Sequence, residues 1–223
     1  GSGAFMKDVA SARELATTMV ELGADAGVTT VALLTAMDRP LGRAVGNALE
    51  VAEAVEVLAG GGPEDVVELT LRLAREMLAA AGVDGKDPAD ALADGSAMDV
   101  WRRMITAQGG DPDAPLPRAA ETTQVTCPAD GVLARLDAYA VGLAAWRLGA
   151  GRTRKEDPVS HGAGVTLHAK PGDVVRAGQP LLTLHTDEPE RFDRALEALE
   201  GAYEIGAERD PGLLPLVIDR ITA

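Results

Sequence analysis

The chain has 223 residues, 46% apolar and 25% charged, the ordinary balance of a globular protein with enough material for a buried core. Its 35 acids against 21 bases give a formal charge of −14, a field that repels nucleic-acid phosphates and anionic membrane surfaces, so neither partner is expected. No run approaches the roughly 20 apolar residues that span a bilayer, and the start has no signal-peptide pattern. The lone Cys127 leaves no internal disulfide and no cysteine-rich metal site, and the expectation is a cytoplasmic protein.

Aromatic residues make up only 3%, so the core is built from Ala, Val and Leu. Val9, Ala12, Leu15, Ala16, Met19 and Val20 recur at helical spacing and predict a helix over 8–22. Val28–Leu34 is short, β-branched and almost continuously apolar, the pattern of a strand buried on both faces in a parallel sheet. An irregular stretch, 35–47, leads to a helix from Asn47 to about Leu58. Gly60-Gly61-Gly62 breaks the chain, and Pro63 is expected at the first position of a helix running to about Ala81. Two short helices follow, 88–94 and 97–107, the second with Ser96 as N-cap and Asp99 three residues on.

Gly109–Pro117 carries two glycines, three prolines and two aspartates, so neither helix nor central strand is sustained there. It divides the chain into 1–108, a linker 109–121, and 122–223. Beyond it, strands are expected at 122–126, 131–137, 165–168, 181–186 and 216–221, with helices at 139–148 and 190–203. Cys127 precedes Pro128 at a strand-to-turn transition and reads as a small buried thiol. Arg147, Arg152, Arg154 and Lys155 form the one basic patch and read as a solvated turn. His161, His168 and His185 lack a third ligand at a telling spacing and read as ordinary histidines, the latter two neighbours on paired strands. Asp137, Tyr139 and Trp146 flank a helix and read as structural.

Leu33–Glu53, with Thr35-Ala36-Met37-Asp38-Arg39-Pro40-Leu41-Gly42-Arg43 at its centre, closely resembles the signature stretch of thymidine and pyrimidine-nucleoside phosphorylases. The likeness continues through Gly62-Pro63-Glu64-Asp65, Pro128-Ala129-Asp130-Gly131, Leu148-Gly149-Ala150-Gly151-Arg152, Glu156-Asp157-Pro158 and Ala163 to Leu184. A run this long is more specific than any short motif. Gly1-Ser2-Gly3 alone reads as an artificial linker. The match at Ala4-Phe5-Met6 favours the family's glycine-rich turn, which follows a substrate-binding lysine.

The resemblance implies an α/β domain, here a partial sheet flanked by helices, followed by an α+β C-terminal domain like a barrel-sandwich hybrid. It implies phosphorolysis of a thymidine-type nucleoside by inorganic phosphate in nucleoside salvage, by a pentosyltransferase that dimerises through a helical N-terminal domain. The family's Lys-His-Ser cluster, glycine-rich phosphate loop and base-binding Arg, Ser and Lys all precede the position of Gly1. No catalytic or substrate-binding residue is therefore assignable, the homodimer is not assured, and the chain alone is expected to be inactive. One family site survives in part: a potassium-like cation held by main-chain oxygens at Leu41 and Ala44 and by the Glu53 carboxylate, with Glu50 as the fallback acid. Hard cations take oxygen ligands, so the chemistry is reasonable. The stretch Lys170–Thr186 resembles half of a biotinyl or lipoyl domain but lacks the modified lysine at a hairpin tip, which disfavours a carrier. A non-catalytic scaffold derived from the family is the alternative, and a truncation artefact the third reading. Missing sheet strands would leave the edge near Val28–Leu34 and an apolar helix face open, so the chain is expected to be marginally stable or self-associated, with 122–221 able to fold alone.

Overall fold

A computed structural model describes residues 1–223. Helix α1 (Val9–Asp25) starts where the Asp8 carboxylate accepts the Ser11 amide at 2.8 Å, an N-cap that satisfies one of the orphan donors of the first turn. It packs on strand β1 (Val31–Thr35) through Ala16 and Val20. The expected parallel sheet is not present. β1 pairs only with β9 (Val217–Thr222), antiparallel, in a two-stranded ribbon, and Leu34 is its one fully buried residue. An unbroken apolar run predicts burial but carries no information about the direction of the partner strand.

A turn and the two-residue strand β2 (Ala44–Val45) lead to α2 (Asn47–Leu58), α3 (Glu64–Ala80), α4 (Pro88–Ala93) and α5 (Ser96–Ala107). Two caps differ from expectation. Pro63 caps α3 in extended conformation and is not its first helical residue. Gly95, in the left-handed region at φ 81°, caps α5, while the Ser96 amide is spent on the Asp94 carboxylate. None of α3, α4 and α5 contains a fully buried residue.

Residues 108–120 hold no helix or strand. Beyond them come β3 (Glu121–Thr126), β4 (Gly131–Leu136), α6 (Ala138–Ala145), a π-helical turn at Trp146–Ala150, β5 (Gly164–Leu167), β6 (Val174–Val175), β7 (Pro180–Thr186), α7 (Arg191–Ala198) and β8 (Tyr203–Gly206). The strands form two antiparallel sheets, in the orders β2-β5-β7-β3 and β6-β4-β8. The main core lies here: its 18 buried residues all fall between Cys127 and Ala202. β7 alternates as a half-buried strand should, Leu182, Leu184 and Thr186 inward and Thr183 and His185 on the other face. The fold is mixed α/β, with small sheets and seven α-helices, and no helix is long and apolar enough to cross a membrane. Two strand pairings, β1 with β9 and β2 with β5, tie the residues before 109 to those after 121.

Candidate functional site

The segment between β1 and α2 reverses direction at Pro40-Leu41-Gly42, where Gly42 takes φ 67°. A side chain is excluded there twice over. That φ disfavours L residues, and an added Cβ would overlap the Glu53 carboxylate and the Val66 methyl. The turn thus closes over Glu53, which α2 presents from beneath. Glu53 Oε1 accepts the Arg43 amide at 2.7 Å, and the Ala44 amide also faces the carboxylate. One turn earlier on the same helix, Glu50 accepts the Gly46 amide at 2.9 Å and caps α2. Burial raises the Glu53 pKa above its ordinary 4.5, against the opposing pull of the Arg43 amide and the Lys170 charge.

Of the three expected cation ligands, the structure brings Ala44 and Glu53 together, both lining a cavity of about 410 Å³ with Arg43 and Thr166. Leu41 lies outside that cavity, its residue 42% exposed at the crest of the turn. No group of three or more His, Cys, Asp or Glu side chains is placed to hold a metal ion. A monovalent cation on main-chain oxygens needs no such group. The donor set fits it only in part, because the amides of Arg43 and Ala44 already meet the carboxylate.

The strongest feature of the site was not foreseen. Lys170, on the loop between β5 and β6, reaches the turn with its ammonium. Nζ donates to the Pro40 carbonyl at 2.6 Å, the Gly42 carbonyl at 2.5 Å and Asp65 Oδ2 at 2.7 Å. Asp65 opens α3, where the helix dipole favours an acid, and its Oδ2 also accepts the Gly42 amide at 3.2 Å. Arg39, Arg43, Glu68 and Asp173 share with Lys170 and Asp65 the lining of a second cavity, about 590 Å³, beside this contact. Burial pulls the Lys170 pKa below 10.5, with Asp65 acting against it. The geometry, three oxygens around one ammonium, describes a charged lysine.

The remaining sequence candidates are dispersed. His185 Nε2 lies 2.9 Å from Thr166 Oγ1, and His168 Nε2 lies 2.7 Å from Thr183 Oγ1, so the two histidines lock β5 to β7. The third, His161, accepts the Ala48 amide on its carbonyl. Arg147 donates to the Arg194 carbonyl and Arg152 to the Lys155 carbonyl, at the rim of a pocket of about 420 Å³. Asp137 caps α6 by accepting the Ala140 amide at 2.8 Å. Cys127 is buried, its thiol 3.2 Å from the Ala129 carbonyl.

Residues 132–206 match the model of the pyrimidine nucleoside phosphorylase C-terminal domain. Thymidine phosphorylase of Mycobacterium tuberculosis (strain CDC 1551 / Oshkosh) is 60% identical over 221 residues, 99% of this chain and 52% of that protein. Along 99% of its length the chain is thus similar to a thymidine phosphorylase, and its residues 132–206 to the C-terminal domain of the pyrimidine nucleoside phosphorylases. Pyrimidine-nucleoside phosphorylases of Staphylococcus haemolyticus (strain JCSC1435) and Bacillus subtilis (strain 168) are each 40% identical, over 93% and 98% of the chain and 50% and 53% of their own lengths. The chain therefore spans about half the length of the curated phosphorylases it matches. The turn 40–44, Glu53, Asp65 and Lys170 form one connected polar site.

Proposed function

We propose that the chain is the C-terminal portion of a phosphorylase that cleaves a thymidine-type nucleoside with inorganic phosphate, giving free base and deoxyribose 1-phosphate for nucleoside salvage, and that alone it is inactive. The carrying observation is the 60% identity to a thymidine phosphorylase along almost every residue present. The reaction needs cationic or amide donors to hold phosphate near the anomeric carbon, and donors on the pyrimidine carbonyls to stabilise the charge of the departing base. In this reading other residues of the enzyme supply those groups. The chain contributes the turn 40–44 and the helix α2 behind it, and the sheets β2-β5-β7-β3 and β6-β4-β8 form a barrel-sandwich-hybrid-like scaffold that supports them. Leu41 and Ala44 main-chain oxygens and the Glu53 carboxylate would hold a monovalent cation such as potassium, neutralising a partly buried acid and fixing the turn.

The test is to measure thymine release from thymidine and phosphate with the 223-residue chain alone, then with the complementary half of a relative co-produced. Activity only in the combined sample is expected. Activity of the chain alone would overturn its inactivity. No activity in a combined sample that has assembled would overturn the enzymatic reading, and thymine binding by the chain alone would then favour a scaffold.

A further inference from the structure

Two main-chain carbonyls two residues apart and one carboxylate converge on a single point in this molecule, and a side chain from a loop more than 100 residues away delivers a positive charge to it. Such a set of oxygens matches the three N–H donors of an ammonium, and oxygen is also the donor type that hard cations take. The contact differs from an ordinary surface ion pair, which contributes little. Lys170 and Asp65 are 16% and 23% exposed, and among the nine ion pairs of the chain theirs is the one with both partners below a quarter. The ammonium also sits with Arg39 and Arg43 nearby, against like charge, and Arg43 is only loosely held by Asp173 at 3.7 Å. A lysine drawn into such company is held there by its oxygens.

We propose that the oxygens of Pro40, Gly42 and Asp65 form a second monovalent-cation site, filled from within by the Lys170 ammonium, and that Lys170 is the positioning residue that fixes the turn over Glu53. The three ammonium protons account for the three acceptors, and the loop is braced in turn by the Lys170 amide on Asp173 Oδ2 at 2.9 Å. The inference concerns the folded chain only and is independent of the proposed catalysis.

Two measurements test it on the 223-residue chain. In trace acetylation read by mass spectrometry, Lys170 is expected to react at least ~10-fold more slowly than exposed Lys86, because its hydrogen bonds must break first. Equal rates overturn the proposal. Lys170→Ala should lower the melting temperature and make Glu53→Gln nearly silent, since the turn is already loose. Methylammonium chloride should then restore part of the loss, choline chloride should not, and Lys170→Ala/Asp65→Asn should respond to neither. No fall in melting temperature, or equal recovery with choline, overturns it. Should Lys170→Ala fail to fold, the acetylation ratio in the unaltered chain decides alone.

Discussion

Thr186 is the one polar side chain in the chain's buried set, and its hydroxyl donates to the Leu148 carbonyl at 2.7 Å, joining the end of β7 to the π-helical turn. Replacing it by valine keeps the volume and strands a buried acceptor, so Thr186→Val is expected to cost about 1–3 kcal/mol, while Thr186→Ser retains most of the stability; urea midpoints measure both. His185 provides a pH signature. Burial, with His168 beside it, holds its pKa below 6.5, so between that lowered value and 6.5 the unfolded chain binds more protons than the folded one. The groups facing it are His168 and Thr166. Stability from this residue is therefore present above 6.5 and is lost as pH falls from there through the lowered value. His185→Gln should flatten that part of the profile, read from urea midpoints between about pH 5 and about pH 8. At this scale the sequence was informative where a residue acts within its own turn, as with Asp137, read as structural and found capping α6. It was silent on Lys170, whose partners lie 105 to 130 residues away and leave no local pattern. The signal available was the Pro-Leu-Gly turn itself, whose free carbonyls had to be met by something.

Between elements, the joint of β2 with β5 is made by two glycines passing each other. Gly46 has φ 142° and Gly164 φ 154°, and a Cβ on Gly164 would lie 2.2 Å from the Val45 carbonyl oxygen and 2.9 Å from a Leu49 methyl. The Val45 carbonyl cannot retreat without parting the strands. Gly164→Ala is expected to cost about 3 kcal/mol, from strain and overpacking together, whereas Gly82→Ala, at φ 67° with open space around it, should cost only about 1 kcal/mol. Chemical denaturation of the two variants gives the comparison. The helices were legible because the apolar stripes of α1, α2 and α3 repeat over three turns or more. β6 escaped because two residues carry no alternation. β8 was missed, and the helix expected to reach residue 203 in fact stops at Ala198, with Gly201 at φ 68° turning the chain back into a strand. Pairing was the harder loss, since β9 returns to β1 from the far end of the chain and no local periodicity encodes a partner.

Taken whole, the molecule exposes 12926 Å², well above the ~9,600 Å² expected of a compact monomer of 23.0 kDa. The excess has a place: α3, α4 and α5 bury no residue fully, and Leu15, Met19 and Leu22 of α1 stand 40%, 58% and 69% exposed beside a largely apolar cavity of about 680 Å³ against β1. β1 has a partner on one edge only. An open strand edge next to an apolar helix face favours pairing with another chain, so analytical ultracentrifugation should find a sedimentation coefficient that rises with concentration, and Met19→Lys should reduce the rise. A concentration-independent monomer would count against it. The segment 109–117 is the natural site of a proteolytic nick, being free of helix and strand. If the chain were two independent units, the products would part. Instead β1 with β9, β2 with β5, and Lys170 with Asp65 all cross that segment, and the core of 18 residues stays with the C-terminal piece. The nicked halves are therefore expected to co-elute in size exclusion, and to separate when Gly164→Ala disrupts the β2–β5 joint. Free release of the N-terminal piece from the unaltered chain would mean that these three contacts do not hold it.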